Sequence, residues 1–231
     1  MTDLPFQIVF AIYPGMTQLD FTGPHQFLSR MPNSEVIVAS PTGGDVPAEG
    51  LVFAGTVPLT GVTHCDLICV PGGLAATQVA QDESFIGAVR RVALGARYIT
   101  SVCTGSLILG AAGLLKGKRA ACHWAWRGLL PIFGAIPDSR RVVRDGNIIT
   151  GGGVTAGIDF ALTVVAEVAG EPFAQYLQLG LEYAPEPPFN CGSPDLASPE
   201  LVAEYHKRLD NLATARQAEA EGIAAKYVWL S

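Results

Sequence analysis

Residues 98–115 read Tyr-Ile-Thr-Ser-Val-Cys-Thr-Gly-Ser-Leu-Ile-Leu-Gly-Ala-Ala-Gly-Leu-Leu, the longest stretch of the chain without a charged side chain or a histidine. Its 18 residues reach the lower edge of a lipid-spanning helix. Such a span would carry Thr100, Ser101, Cys103, Thr104, Ser106 and three glycines into hydrocarbon, where unsatisfied polar groups are costly. The better reading is two elements buried on all sides. Residues 98–102 form a strand, residues 104–112 a helix, and Cys103 stands at the tight turn between them. Strands buried on both faces belong to a parallel sheet covered by helices.

The same alternation runs outward in both directions. Residues 7–12, 35–39 and 66–70 are short apolar, β-branched runs that read as strands. Residues 22–31 read as a helix, as do residues 82–95, where Phe85, Ile86, Val89, Val92 and Ala93 recur near the 3.6 period. Residues 46–56 read as a hairpin-like excursion. Further on, residues 124–133 look helical, and residues 142–149 look like a hairpin turning at Asp145-Gly146. Gly151-Gly152-Gly153 leads into an apolar helix at 155–169, followed by a helix at 171–180 and an extended loop at 185–194. Ser198 can cap a last helix with Pro199 at its first position, and Leu201, Tyr205, Leu209 and Leu212 give that helix an apolar stripe. The predicted class is α/β with a mostly parallel sheet. Residues 1–195 form the α/β domain, and 196–231 a helical extension packed on it. Sites in such sheets lie at the carboxyl edge. Three strand-to-helix turns stand there: Pro71-Gly72-Gly73, the turn at Cys103, and Gly151–Thr155.

Composition excludes several classes. The chain has 231 residues, 49 % of them hydrophobic and 16 % charged, with mean hydropathy +0.31. That is the opposite of a disordered chain, and the length supports a full core without disulfide staples. The net charge is −6, and no run of adjacent basic residues is longer than two, as at Arg90-Arg91 and Arg140-Arg141. A nucleic-acid ligand is disfavoured, because neutralising phosphates needs a basic face. The N-terminus shows no positively charged leader region and no small-residue cleavage site, so no secretory signal is read. Five cysteines is an odd count, and reduced thiols in the cytoplasm are the expectation.

Cys103 is the leading candidate for chemistry. A nucleophile exposed on a tight strand-to-helix turn meets free backbone N–H groups and the positive end of a helix. Those groups stabilise a thiolate, lower its pKa, and can hold a developing negative charge. The alternative is a buried structural cysteine. Asp20, in the apolar setting Gln18-Leu-Asp-Phe-Thr-Gly-Pro24, would share the Cys103 edge if the first strand is central. Poorly solvated, it would keep a proton and act as general acid and base. It can equally be a carboxylate at a helix start. Gly72 and Gly73 let backbone approach a ligand closely, or simply make a turn. The bare glycines 151–153 match neither a P-loop nor a dinucleotide fingerprint, so no nucleotide cofactor is expected.

His123 is the best candidate for a base paired with the cysteine, although a histidine satisfied at the sheet edge is the better reading. His25, His64 and His206 have no partners at recognisable spacing, and Cys65 and Cys69 have no second ligand pair, so no metal site is expected. Cys191 reads as an incidental thiol. Asp159 lies in the apolar helix at 155–169 and is best read as a structural tie to nearby backbone. Trp124, Trp126 and Phe133 read as packing residues.

At this point a family comes into view. The segments Gln18–His25, Val70-Pro-Gly-Gly73, Tyr98–Ser106, His123-Trp124, Val143–Asn147 and Gly151–Leu162 resemble the ThiJ/PfpI superfamily. Glu182–Asn190 and Gly192–Asp195 extend the similarity toward its isocyanide (isonitrile) hydratases. The resemblance implies a flavodoxin-like three-layer α/β sandwich, a homodimer, and hydration of an isocyanide to an N-substituted formamide without cofactor or metal. It also implies that Cys103 is the nucleophile, Asp20 the general acid and base, and Thr104 a neighbouring hydrogen-bond donor. Gly72, Gly73 and Val154 would line the site. Many members of the superfamily place a glutamate beside the cysteine; here that role falls to Asp20. Three other readings compete: a cysteine hydrolase using His123, a ligand-sensing domain of the kind that carries a DNA-binding C-terminus, and a redox sensor built on Cys103. The C-terminal segment reads as one helix, which disfavours the regulator.

Overall fold

The computed structural model describes residues 4–227 and 229. The outermost positions of the two expected segments, residues 1–3, 228, 230 and 231, lie outside the described residues. Strand β1 (Phe6–Ala11) is buried from Ile8 onward. After helix α1 (Gln18–Leu28) come β2 (Ser34–Ser40) and the hairpin β3 (Gly44–Ala48) and β4 (Leu51–Pro58). Strand β5 (Leu67–Val70), helices α2 (Ala76–Val79) and α3 (Glu83–Gly95), strand β6 (Tyr98–Val102) and helix α4 (Gly105–Ala111) follow. Aliphatic side chains buried on both faces make β1 and β5 the middle of the sheet.

The sheet has eight strands in the order β3-β4-β2-β1-β5-β6-β10-β9, where β9 is Val142–Asp145 and β10 is Ile148–Gly151. Strands β4, β2, β1, β5, β6 and β10 pair in parallel, and the edge strands β3 and β9 are antiparallel. Helix α1 packs on α5 (Ala156–Ala169), which packs on α6 (Glu171–Gly180). Helices α2, α3 and α4 pack together as the other helical layer. The sandwich is thus the predicted α/β class. Leaving β1, the chain goes to β2 on one side and later returns to β5 on the other. This reversal makes a crevice at the carboxyl edge, where open α/β sheets bind their ligands.

The uncharged run of residues 98–115 is β6, the Cys103 turn and α4, buried in this core. No helix among the described residues is long and apolar enough to cross a membrane. Two local expectations are corrected. Helix α1 starts at Gln18 rather than at residue 22, because the Asp20 N–H already closes a turn onto the Thr17 carbonyl at 3.1 Å. The segment 124–133 is a turn followed by a 3-10 helix, Arg127–Phe133, with Pro131 inside it and Gly134 left-handed at its end. Proline removes the N–H that an α-helical ladder requires. The two-residue strands β7 (Arg119–Ala120) and β8 (Ile136–Pro137) form a separate small pair.

Helix α7 (Pro199–Lys226) begins where the sequence places it, with the Ser198 side chain accepting from the Leu201 N–H. Its apolar stripe continues past Leu212 to Ala220 and Ile223, both buried. Between Leu212 and Ala220 the same face presents Arg216, also buried.

Candidate active site

Cys103 occupies the left-handed region, with φ +57°. A non-glycine residue there costs on the order of 1–3 kcal/mol and persists only where its surroundings fix it. Here the Cys103 N–H donates to the carbonyls of Gly152 at 2.8 Å and Gly151 at 3.1 Å. The turn closes so tightly that a Cβ on Gly105 would lie 2.1 Å from the Val70 carbonyl oxygen. These constraints aim the Cys103 side chain out of the sheet edge, with the Thr104 N–H directed at its sulfur.

Asp20 reaches the same place from the first turn of α1 and has no solvent exposure. Its Oδ2 accepts the Gly72 N–H at 3.0 Å. The Cys103 thiol lies within hydrogen-bonding reach of the same carboxyl group. Gly72 fits between these groups only because it lacks a side chain: a Cβ would stand 2.4 Å from Thr104 N and 2.9 Å from Asp20 Oδ2. Gly73 holds the next link. Its N–H donates to Thr104 Oγ1 at 2.9 Å, and its carbonyl accepts the Thr104 hydroxyl at 3.1 Å. Asp20, Gly72, Gly73, Cys103 and Thr104 therefore form one contiguous cluster.

Burial dominates the proton balance. It raises Asp20 to about 7, against the lowering effect of the Cys103 and Gly72 hydrogen bonds. It also pushes the Cys103 thiol well up, and the Asp20 charge pushes in the same direction. This corrects the expected lowering of the cysteine: the Thr104 N–H does favour the thiolate, but burial and Asp20 outweigh it. A buried pair of acids disfavours the doubly charged form, so the two groups share at least one proton at neutral pH.

A cavity of about 500 Å³ opens above the pair and is lined by Cys103, Thr104, Gly73, Val154, His123 and Trp126, among others. Val154 lines this cavity together with Cys103. His123 accepts the Ala125 N–H on Nδ1 at 3.3 Å, so its neutral ring carries the proton on Nε2. Burial and the Arg216 charge hold its pKa down. With its acceptor nitrogen already engaged, His123 is not set up to take a proton from the thiol.

Arg216 was not singled out by the sequence reading. It is 1 % exposed and lines the same cavity. Its Nη2 donates to the carbonyls of Gly73 at 3.0 Å and Leu74 at 2.7 Å. Its guanidinium carbon lies 4.1 Å from the centre of the Trp126 ring. The available signal was its position, since it occupies the helical stripe that runs from Tyr205 and Leu209 through Leu212 to Ala220 and Ile223.

The remaining candidates lie elsewhere. Asp159 pairs with Arg141 and accepts the Tyr183 hydroxyl at 2.9 Å, so its structural ties are to side chains rather than to the nearby backbone expected. Cys65, Cys69 and Cys122 are buried and Cys191 is exposed, all four as free thiols. No cluster of metal-ligating side chains occurs among the described residues. His25 packs against Phe10 and Phe21, and His206 against Trp124. Phe133 and Trp126 both pack in the core as expected, and Trp126 is also a wall of the cavity.

Residues 6–167 match the DJ-1/PfpI family. The chain is 48 % identical over 224 residues to the isonitrile hydratase of Pseudomonas putida, covering 96 % of this chain and 98 % of that one. The crystal structure of a ThiJ/PfpI family protein from Pseudomonas syringae superposes with a TM-score of 0.87 at 39 % identity, over 95 % of this chain and 90 % of the other. The HTH-type transcriptional regulator GlxA of Rhizobium meliloti is 30 % identical over 154 residues, which cover 64 % of this chain and 47 % of the regulator.

Proposed function

The chain belongs to the DJ-1/PfpI family, and from that premise we propose that it is a hydratase converting isocyanides to N-substituted formamides through a covalent thioimidate on Cys103. The observation that carries this reading is the similarity, end to end, to the Pseudomonas putida isonitrile hydratase. The shared proton of Cys103 and Asp20 supplies the chemistry. The isocyanide carbon is electrophilic and becomes basic once attacked. Ionised Asp20 takes the thiol proton as sulfur bonds to that carbon, then delivers the same proton to the carbon, giving R–N=CH–S–Cys. Asp20, ionised again, draws a proton from water as the oxygen adds to the carbon and passes that proton to the nitrogen, which becomes N–H. Collapse to the carbonyl breaks the C–S bond, returns a proton to sulfur and releases R–NH–CHO. Thr104 N–H stabilises charge on sulfur during attack and release. Thr104 Oγ1 keeps the Gly72-Gly73 turn in place.

This cycle uses no metal or cofactor. The rest of the proposal is a homodimer in the cytoplasm with no nucleic-acid partner. Unpaired cysteines and the net charge of −6 support the last two points. The regulator reading loses support because the chain spans 98 % of the isonitrile hydratase at 48 % identity but only 47 % of the regulator at 30 %. The hydrolase reading loses support from the engaged Nδ1 of His123.

The test is formamide formation from alkyl and aryl isocyanides by the wild type, Cys103→Ala and Asp20→Asn. Both variants are expected to fold and to lose turnover. Full activity in either folded variant would overturn the mechanism, and no turnover by the wild type would overturn the assignment.

A further inference from the structure

Arg216 is a buried cation whose charge the protein does not neutralise. Nη2 is committed to two backbone carbonyls, but Nε and Nη1 are buried with no protein acceptor. No carboxylate forms an ion pair with it among the described residues. Glu219, the carboxylate whose charge acts on it, instead accepts the Thr77 hydroxyl. A desolvated guanidinium with free N–H groups is costly unless something pairs with it. The Trp126 face offsets part of that cost but accepts no conventional hydrogen bond.

The cavity wall around Arg216 is rich in donors. His123 carries its proton on Nε2, and the Arg216 charge acts on its ring. Glu49 also lines the cavity, but its Oε2 already accepts the Gln18 N–H at 3.0 Å. Leu74, Val154 and Leu209 supply apolar surface. The space of about 500 Å³ far exceeds what an isocyano group alone would fill. An occupant that reaches Cys103 with one end therefore presents its remaining atoms to a cation and a neutral N–H donor.

We propose that Arg216 and His123 form a carboxylate subsite, and that the favoured substrates are isocyanides bearing a carboxylate near the isocyano group. The proposal rests on the hydratase reading for the identity of the reacting group, and on the cavity alone for the carboxylate. Arg216 lies in α7, beyond residues 6–167 that match the family. The C-terminal helix thus adds specificity to a reaction whose nucleophile and acid lie within the family domain. The anion would also disfavour ionisation of nearby Asp20.

The experiment compares kcat/KM for isocyanoacetate and its methyl ester in the wild type, Arg216→Met and Arg216→Lys. The wild type is expected to favour the acid tenfold or more. Arg216→Met should bring the two substrates within about threefold, and Arg216→Lys should fall between, as expected for a charged hydrogen bond. A second readout avoids turnover: binding of N-formylglycine and its methyl ester to full-length Cys103→Ala, with and without Arg216→Lys, by calorimetry. Wild-type indifference to the carboxylate, or a preference that survives Arg216→Met, overturns the subsite while leaving the hydratase intact. Arg216-dependent binding of N-formylglycine, without turnover of any isocyanide by the wild type, supports the subsite and overturns the hydratase. If Arg216→Met does not fold, Arg216→Lys decides: an unchanged preference and unchanged N-formylglycine binding overturn the subsite.

Discussion

Replacing Gly72 by alanine adds one methyl group at the point where the elbow, the acid and the turn meet. The new Cβ would lie 2.4 Å from Thr104 N, 2.7 Å from Thr104 Oγ1 and 2.9 Å from Asp20 Oδ2, whereas ordinary contact begins near 3.4 Å. Two of these atoms belong to a residue fixed by two hydrogen bonds to Gly73, so no flexible side chain can swing away. The turn must open by about 1 Å, and a displacement of that size between reacting groups can cost on the order of 100-fold in rate. Overpacking adds a loss of about 1–3 kcal/mol in stability. In a domain of this size that lowers Tm by roughly 2–12 °C. The assay is kcat for formamide formation at saturating isocyanide, with Tm measured alongside. Gly87→Ala is the control, because Gly87 lies inside α3 with nothing within 4 Å of a built Cβ. There alanine should stabilise the helix by up to about 1 kcal/mol. A Gly72→Ala enzyme with kcat within twofold of wild type would refute the geometric argument, as would an equal loss in Gly87→Ala.

Asp20 gives two pH signatures. In the proposed cycle its ionised form takes the thiol proton, so kcat/KM should rise with pH through about 7. A rate independent of pH between 5 and 8 would contradict it. The same raised pKa makes the folded state bind a proton more tightly than the unfolded chain. Stability from this group is therefore greatest below pH 3.8, falls as pH rises to about 7, and is level above that, a loss of about 4 kcal/mol in all. Asp20→Asn, which keeps an acceptor for Gly72, should gain stability over wild type as pH rises from 4 to 8; a constant difference in Tm would count against the raised pKa. Alkylation of Cys103 by iodoacetamide should be slow at pH 7 and accelerate in alkaline solution. In Asp20→Asn the acceleration should begin at lower pH, because the Asp20 charge that raises the thiol is gone; an unchanged profile would uncouple the pair. Asp159→Asn should leave kcat within twofold and cost no more than about 1 kcal/mol by chemical denaturation, since its Arg141 partner is half exposed. A tenfold loss of kcat would give Asp159 a catalytic role.

What could be read in the sequence followed how locally each feature is encoded. The elbow was legible because a strand, a cysteine and a small-residue helix lie within 18 consecutive residues, and a run too polar for lipid has few other solutions. Asp20 was legible as a candidate, but its helix was not. The turn that begins α1 depends on Thr17, whose N–H is held by the distant Gly72 carbonyl at 2.9 Å. The proton balance was read with the wrong sign for Cys103. Helix-end effects can be inferred from neighbouring residues, whereas desolvation depends on segments far away in the chain. Arg216 shows the opposite failure. As far as Leu212 the stripe on α7 is apolar and its meaning is packing. One turn further, the same face replaces an aliphatic residue with arginine. An uninterrupted stripe would have closed the cavity with hydrocarbon, which takes an isocyanide of any apolar shape. A cation at that position makes sense where the occupant brings charge of its own. The residue that breaks the pattern is thus the one that separates a general hydratase from one with a preferred class of substrate.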